Sequence, residues 1–271
     1  MPLTGTLVLV GCGKMGSAML EGWLSRGIEA PQIAVLEPMP SPQLHAFLSK
    51  HGVRLNPSST SIQDTEVIIV AIKPQMMTEV LPSLLPLMTT KPLVLSIAAG
   101  KTIASFEAAL GEGTSIIRTM PNTPAAIGRG ITAMVGNAFV SSVQMKLAEE
   151  LLAATGEVVR VDNEAVIDLV TAVSGSGPAY VFLLAETLAA AGEKAGLPKE
   201  LAVRLARATV AGSGELMRLS GVDAAVLRQN VTSPNGTTHA ALQVLMADDG
   251  LQHLMNRAVA AAALRSRELA K

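Results

Sequence analysis

The chain has 271 residues, enough for one large domain or two ordinary ones, and 49% hydrophobic with 16% charged residues supports a substantial core and excludes a disordered chain. A net charge of -1 excludes a general pull toward nucleic acid or anionic membrane, and the one cysteine, Cys12, excludes a disulfide framework and a cysteine-cluster metal site, so no metal is expected. No signal-peptide pattern opens the chain and no apolar run approaches the roughly 18 residues of a membrane span, so a cytoplasmic protein is expected.

Thr6 to Val10 is an apolar run of strand length that ends at Gly11-Cys12-Gly13-Lys14-Met15-Gly16, and an amphipathic helix follows from about Ser17 to Ser25. Strand, glycine turn, helix is the order that a dinucleotide pyrophosphate needs. Gly11 permits the tight turn, Gly13 lets the backbone approach the phosphates, and Gly16 lets the helix pack on its strand. Gln32 to Leu36 reads as a second buried strand, closed by Glu37 about 20 residues beyond the glycine turn, where an acid accepts hydrogen bonds from the adenosine ribose. No Arg or Lys lies between Glu37 and Lys50 to neutralise a 2′-phosphate, which by charge favours NADH over NADPH. A solvated carboxylate at the strand end is the plainer alternative.

Residues 42–50 read as a helix, Val53 to Leu55 as a short strand and Ser58 to Gln63 as a helical turn. Val67 to Ile72 is a continuous apolar run, as a parallel strand covered on both faces requires. It closes on Lys73-Pro74, at a strand end where ligands of α/β folds collect. Lys73 is a candidate for reaching cofactor or substrate, against the alternative of a solvated loop lysine. Residues 75–88 have a helical spacing, and Leu93 to Ile97 is a strand ending at Ala98-Ala99-Gly100, small residues suited to backbone contact with a ligand. Ser105 to Leu110 reads as a helix and Ser115 to Arg118 as a strand. Met120-Pro121-Asn122-Thr123-Pro124 breaks regular structure, its prolines stiffening a loop beside the sheet. Ile131 to Val135 and Glu157 to Val161 are two further strands, with Ser141 placed to N-cap the helix between them. The alternation predicts a Rossmann-like, doubly wound α/β domain over residues 1–161.

From 162 to 271 the chain reads as all-α, with helices at about 164–173, 178–195, 199–219, 223–229, 237–248 and 251–269. The segments 178–195 and 199–219 are apolar over more than one face, which implies burial against a second subunit. Two polar turns interrupt this half, Ser174-Gly175-Ser176-Gly177-Pro178-Ala179-Tyr180 and Val231-Thr232-Ser233-Pro234-Asn235-Gly236-Thr237-Thr238. Each feeds a helix N-terminus, where hydroxyls, free N–H groups and the positive dipole end suit a small carboxylate.

At these motifs, and at Ala71-Ile72-Lys73-Pro74, the sequence resembles the pyrroline-5-carboxylate reductase family over essentially its whole length. The resemblance implies reduction of L-1-pyrroline-5-carboxylate to L-proline by NADPH or NADH, in a homodimer or higher homo-oligomer interlocked through the C-terminal domain. Gly11 to Gly16, Ala71 to Pro74, Ala98 to Gly100 and Asn230 would then touch cofactor together with Glu37. Met120, Asn122, Ser176, Ser233, Asn235, Gly236, Thr237 and Thr238 would hold substrate, the carboxylate turn coming from the same or the partner subunit. Thr238 is the candidate catalytic residue as proton relay. Tyr180 and His239 are weaker donors, since Tyr180 sits beside a helix-starting proline and no carboxylate partner is identifiable for His239.

The chain departs from the family pattern at Asn235, where the family has glycine, and at Asp223 to Gln229, where it has a His-Pro pair and an acid. Asn takes the left-handed conformation more readily than most residues, so the turn is expected to survive. Two other readings compete. A β-hydroxyacid dehydrogenase would carry a catalytic Lys on the first long helix of the second domain, where only Lys194 is found, at the far end. A non-enzymatic dinucleotide sensor would need no carboxylate turn.

Overall fold

The computed structural model describes residues 3–269. Eight strands form one sheet: β1 (Thr6–Val10), β2 (Ile33–Leu36), β3 (Arg54–Leu55), β4 (Thr65–Val70), β5 (Leu93–Ser96), β6 (Ile116–Met120), β7 (Gly130–Gly136) and β8 (Gly156–Arg160). Their order is β3-β2-β1-β4-β5-β6-β7-β8. β1 to β6 pair in parallel, and the direction of strand succession reverses between β1 and β4, the crevice where a doubly wound sheet binds its ligand. β7 runs antiparallel to β6. Only residues 121–129 join the two, too short a link for the dozen or more residues of a parallel crossover, so the chain turns straight back. β8 then lies parallel to β7 after a helical crossover.

Helices α1 (Lys14–Ser25), α2 (Pro42–His51) and α5 (Ser142–Leu152) cover one face of the sheet, and α3 (Met77–Val80), α4 (Ile103–Leu110) and α6 (Val166–Val170) the other. The alternation along β1 divides the core accordingly. Leu7 and Leu9 pack with Trp23, Leu48 and Leu151, while Val8 and Val10 pack with Leu84, Phe106 and Ile167. Trp23, fully buried, donates its indole N–H to the Leu151 carbonyl at 2.9 Å and so ties α1 to α5. Ser141 caps α5 as expected, in a reciprocal box with Gln144. Two local expectations are corrected. α1 begins at Lys14, because Gly13 itself is the N-cap. The helix expected over 75–88 is mostly 3₁₀, Pro74–Met76 and Leu81–Thr90 around the one α-turn of α3, because Pro82 and Pro86 deny the i→i−4 bonds an α-helix needs.

Helices α7 (Gly177–Lys194), α8 (Lys199–Ser220), α9 (Ala224–Asn230), α10 (Thr237–Leu245) and α11 (Leu251–Leu269) follow. The chain divides into two compact units, Met1–Gly175 with Ala262–Lys271, and Ser176–Ala261. The strands end where the sequence pattern changes, at 160, but the first unit continues through α6 and takes in the end of α11. In the second unit α7 packs along α8. No residue of α7 is buried, and Phe182 and Leu183 are 67% and 56% exposed. Val166–Lys194 is a continuous helical stretch long and apolar enough, by length and composition, to cross a membrane. This corrects the expectation that none approaches that measure. Ala and Val raise its average although Ser174, Ser176 and Glu186 interrupt it.

Candidate active site

Two of the three glycines are required by their neighbours, and the third leaves its backbone open. Gly11 sits at φ 85°, and a Cβ there would meet the Ala71 carbonyl oxygen at 2.8 Å. A Cβ on Gly16 would lie 2.7 Å from the Gly11 carbonyl oxygen, so α1 can pack on the turn only without one. Gly13 has no heavy atom within 4 Å of where a Cβ would stand; it is exposed, and no side chain caps the helix it starts. That leaves open backbone and first-turn N–H groups for an anion, a cradle that fits a dinucleotide pyrophosphate. Gly11→Ala is expected to strain the left-handed backbone by about 1–3 kcal/mol and to push the Ala71 strand end away. Fluorescence titration with NADPH should show weakened binding; unchanged affinity would contradict this account of the turn.

The neighbouring strand ends meet at this edge. Gly11 N–H donates to Leu36 O at 2.8 Å, Ala71 N–H to Val10 O at 2.7 Å and Ile97 N–H to Val70 O at 3.1 Å. The Ala71–Pro74 and Ala98–Gly100 loops therefore emerge beside the glycine turn. Ile72 is half-buried, while Lys73 is exposed and its backbone caps the 3₁₀ turn at Pro74. Ala99 is exposed between buried Ala98 and Gly100. Gly100, at φ 72°, has a local reason for being glycine: a Cβ there would stand 3.3 Å from both Cβ and the carbonyl oxygen of Leu269, in the last turn of α11.

Glu37 is anchored as well as available. Its Oε2 accepts the Cys12 N–H at 2.9 Å and its Oε1 the Met39 N–H at 3.2 Å. Asn56, which sequence reasoning missed, clasps the Glu37 backbone from both sides, accepting from its N–H and donating to its C=O, each at 2.8 Å. Asn56 stands at φ 47° just past β3, and an Asn after a short strand was the signal available. No ion pair joins Glu37 to a Lys or Arg among the described residues. Burial pushes the Cys12 thiol up, and the Glu37 and Glu21 carboxylates push the same way against the lowering contact with the Ser17 hydroxyl. The protonated, 5%-exposed thiol acts as a small spacer.

At the end of β6, Asn122 Oδ1 accepts the Ile131 N–H at 3.0 Å and so fixes the turn into β7. Met120 reaches toward Gly175, where a Cβ would lie 2.5 Å from its Cε. Beneath them is a charged cluster that sequence reasoning also missed. Arg118, 2% exposed, donates to Glu164 Oε1 at 2.8 Å and lies 3.8 Å from Asp168 Oδ1. Glu164 Oε1 also accepts the Ile103 N–H at 2.8 Å, and Asp168 Oδ1 accepts from Ser266 Oγ at 2.7 Å. Arg118 Nε has no partner among the described residues. Nothing local marks these residues, since their partners are far apart in sequence.

In the second unit Asn235 takes φ 59°, as expected of an Asn standing where the family has glycine. Gly236 N–H donates to Ser233 O at 3.1 Å, and a Cβ on Gly236 would collide with the Ser233 hydroxyl. Gly236 is the N-cap of α10, no side chain caps it, and Thr237 and Thr238 are its first two helical residues. Their backbone N–H groups have no acceptor among the described residues. Ser176 occupies the same position at α7, again without a side-chain cap bond. Asn230 ends α9 and is exposed. His239 has Gln243 as its neighbour at 3.5 Å and no carboxylate partner among the described residues. Lys194 stands in the last turn of α7, away from its N-terminus, which removes the feature a β-hydroxyacid dehydrogenase would need.

Comparison with known proteins bears on the whole chain. A family described as NADP oxidoreductase, coenzyme F420-dependent, matches residues 6–100, and one described as pyrroline-5-carboxylate reductase dimerisation matches residues 164–269. The pyrroline-5-carboxylate reductase of Pseudomonas aeruginosa is 40% identical over 269 residues, covering 99% of this chain and 98% of that protein. The solved structure of a pyrroline-5-carboxylate reductase from Coxiella burnetii is similar at a TM-score of 0.91 and 35% identity, covering 99% of this chain and 100% of that one. A pyrroline carboxylate reductase from Plasmodium falciparum, solved with NADP bound, has a TM-score of 0.82 at 29% identity, with 99% of each chain covered. With the glycine turn, the strand-end loops and the Ser233 to Thr238 turn already in place, the chain belongs to the pyrroline-5-carboxylate reductase family.

Proposed function

We infer that the chain reduces L-1-pyrroline-5-carboxylate to L-proline with NADPH or NADH, the last step of proline synthesis, and that its two regions divide the work. Residues 1–161 hold the dinucleotide through Gly11 to Gly16, Glu37, Ala71 to Pro74 and Ala98 to Gly100, with Asn230 as a further contact. Residues 162–271 dimerise and hold substrate through Ser176, Ser233 and Asn235 to Thr238, of the same or the partner subunit, and Met120 and Asn122 are further candidate substrate contacts. The uncapped N-terminus of α10 carries this reading: two unpaired N–H groups beside two threonine hydroxyls suit one carboxylate. When bound, the reduced nicotinamide supplies the hydride. The chain's task is to hold C5 of the imine in place, exclude water and provide a proton path at nitrogen, for which Thr238 Oγ1 is the candidate. Proline formation from pyrroline-5-carboxylate with either cofactor tests the reaction. Cofactor binding without turnover would favour the dinucleotide sensor instead.

Glu37, without a neighbouring cation, is expected to make NADH at least as efficient as NADPH in kcat/KM. A strong NADPH preference would contradict this role for Glu37. The chain forms a homo-oligomer, and we place the dimer interface on the exposed apolar residues of α7 and α8, including Phe182, Leu183, Leu216 and Leu219. Light scattering at micromolar concentration should show a dimer or larger; a stable, active monomer would sink the interface. The near-neutral charge gives no general pull toward nucleic acid or an anionic membrane surface, and we read the chain as a cytoplasmic enzyme.

A further inference from the structure

The loop from Ala98 to Thr102 has no regular structure of its own, yet it is held at its exit and at its middle by groups that converge on Arg118. Its exit is Ile103, whose N–H is taken by Glu164 Oε1, the same oxygen that pairs with Arg118 Nη1. Its back is Gly100, pressed against Leu269. Leu269 stands three residues, a little under one helical turn, beyond Ser266, which is buried and donates to Asp168. Asp168 is the second carboxylate facing Arg118. Two chains of contact therefore run from one buried guanidinium to one loop, through Glu164 and through Asp168, Ser266 and the last turn of α11.

We propose that Arg118 and Ser266 are positioning residues for the cofactor, setting the Ala98–Gly100 loop from behind without touching the dinucleotide. The inference rests on the reading that this loop contacts cofactor. A ligand loop that must be ordered at the moment of binding loses affinity through that ordering, and a preset loop avoids the loss. The test compares wild type with Ser266→Ala, a variant that removes only one hydroxyl, and with Asp168→Asn, which keeps an acceptor for Ser266. Hydrogen exchange over residues 98–103 and the Kd for NADPH and NADH are measured without substrate, and kcat and the cofactor KM with it.

Ser266→Ala should speed exchange in the loop and weaken cofactor binding by about threefold to tenfold, a fraction of one charge-assisted hydrogen bond. The effect should appear in Kd and cofactor KM, with kcat at saturating cofactor and exchange in β1 and β4 unchanged. Asp168→Asn should show a smaller shift of the same kind, since it keeps an acceptor for Ser266 but loses the charge facing Arg118. Loop exchange and Kd equal to wild type in Ser266→Ala would overturn the inference alone. If NADPH and NADH fail to protect 98–103 in the wild-type protein, the placement of cofactor on this loop falls, and the inference with it.

Discussion

Replacing Arg118 with Met lowers stability by about 3 kcal/mol, the low end of what breaking a buried ion pair costs. Met replaces the aliphatic stem of the side chain but leaves two carboxylates facing an apolar site. Glu164 keeps 29% of its side-chain surface exposed and can be rehydrated, which is why the low end applies; Asp168, at 13%, has less recourse. At about 2–4 °C per kcal/mol for a domain of this size, the melting temperature falls by about 6–12 °C. Adding Asp168→Asn to Arg118→Met should recover part of the loss, because one of the two uncompensated charges is then gone. A thermal scan of Arg118→Met within a degree of wild type would show that the cluster is solvated and contributes little.

Thr238→Ala should cost roughly ten- to a hundredfold in kcat/KM, the equivalent of about 1.5–3 kcal/mol for one hydrogen bond to a charged or reacting group. Cofactor affinity should hardly change. A loss concentrated in kcat would identify the hydroxyl as proton relay, and a loss in substrate KM would make it an anchor. The structure removes one competing explanation: the Thr238 hydroxyl caps nothing, since the N-cap is Gly236 and no side chain bonds there. The variant should therefore melt with wild type, Ala being a favourable residue in a first helical turn. Wild-type kinetics in Thr238→Ala would withdraw the assignment.

What the sequence made legible was local. A glycine turn between strand and helix, Ser141 as the N-cap of α5, and an Asn in place of glycine at 235 each carry their conformation in adjacent residues, and the structure reproduces all three. The mostly parallel sheet was legible for the same reason, since long apolar runs alternate with helical spacing. Residues 75–88 misled because apolar periodicity cannot distinguish α from 3₁₀ once prolines intervene. Arg118 could not be read at all. Its partners Glu164 and Asp168 lie past two further strands, and in sequence a buried arginine looks like any charge at a strand end. Asn56 falls between these cases, visible as an Asn after a strand but not as the residue that holds Glu37.

The return of α11 to the first unit has a consequence for biosynthesis. Translation delivers the sheet early, but Gly100 and Asp168 must wait for Leu269 and Ser266, which are made only after the whole second unit. Until then Arg118 has its carboxylates without the helix that closes over them, and the nascent chain carries an unfinished nucleotide fold through the synthesis of the whole helical half. Domains that are contiguous can complete themselves during elongation. Here the first unit completes itself only after residues 176–261 have been made, and a chain stalled before Ser266 should be open to proteases at the Ala98–Thr102 loop.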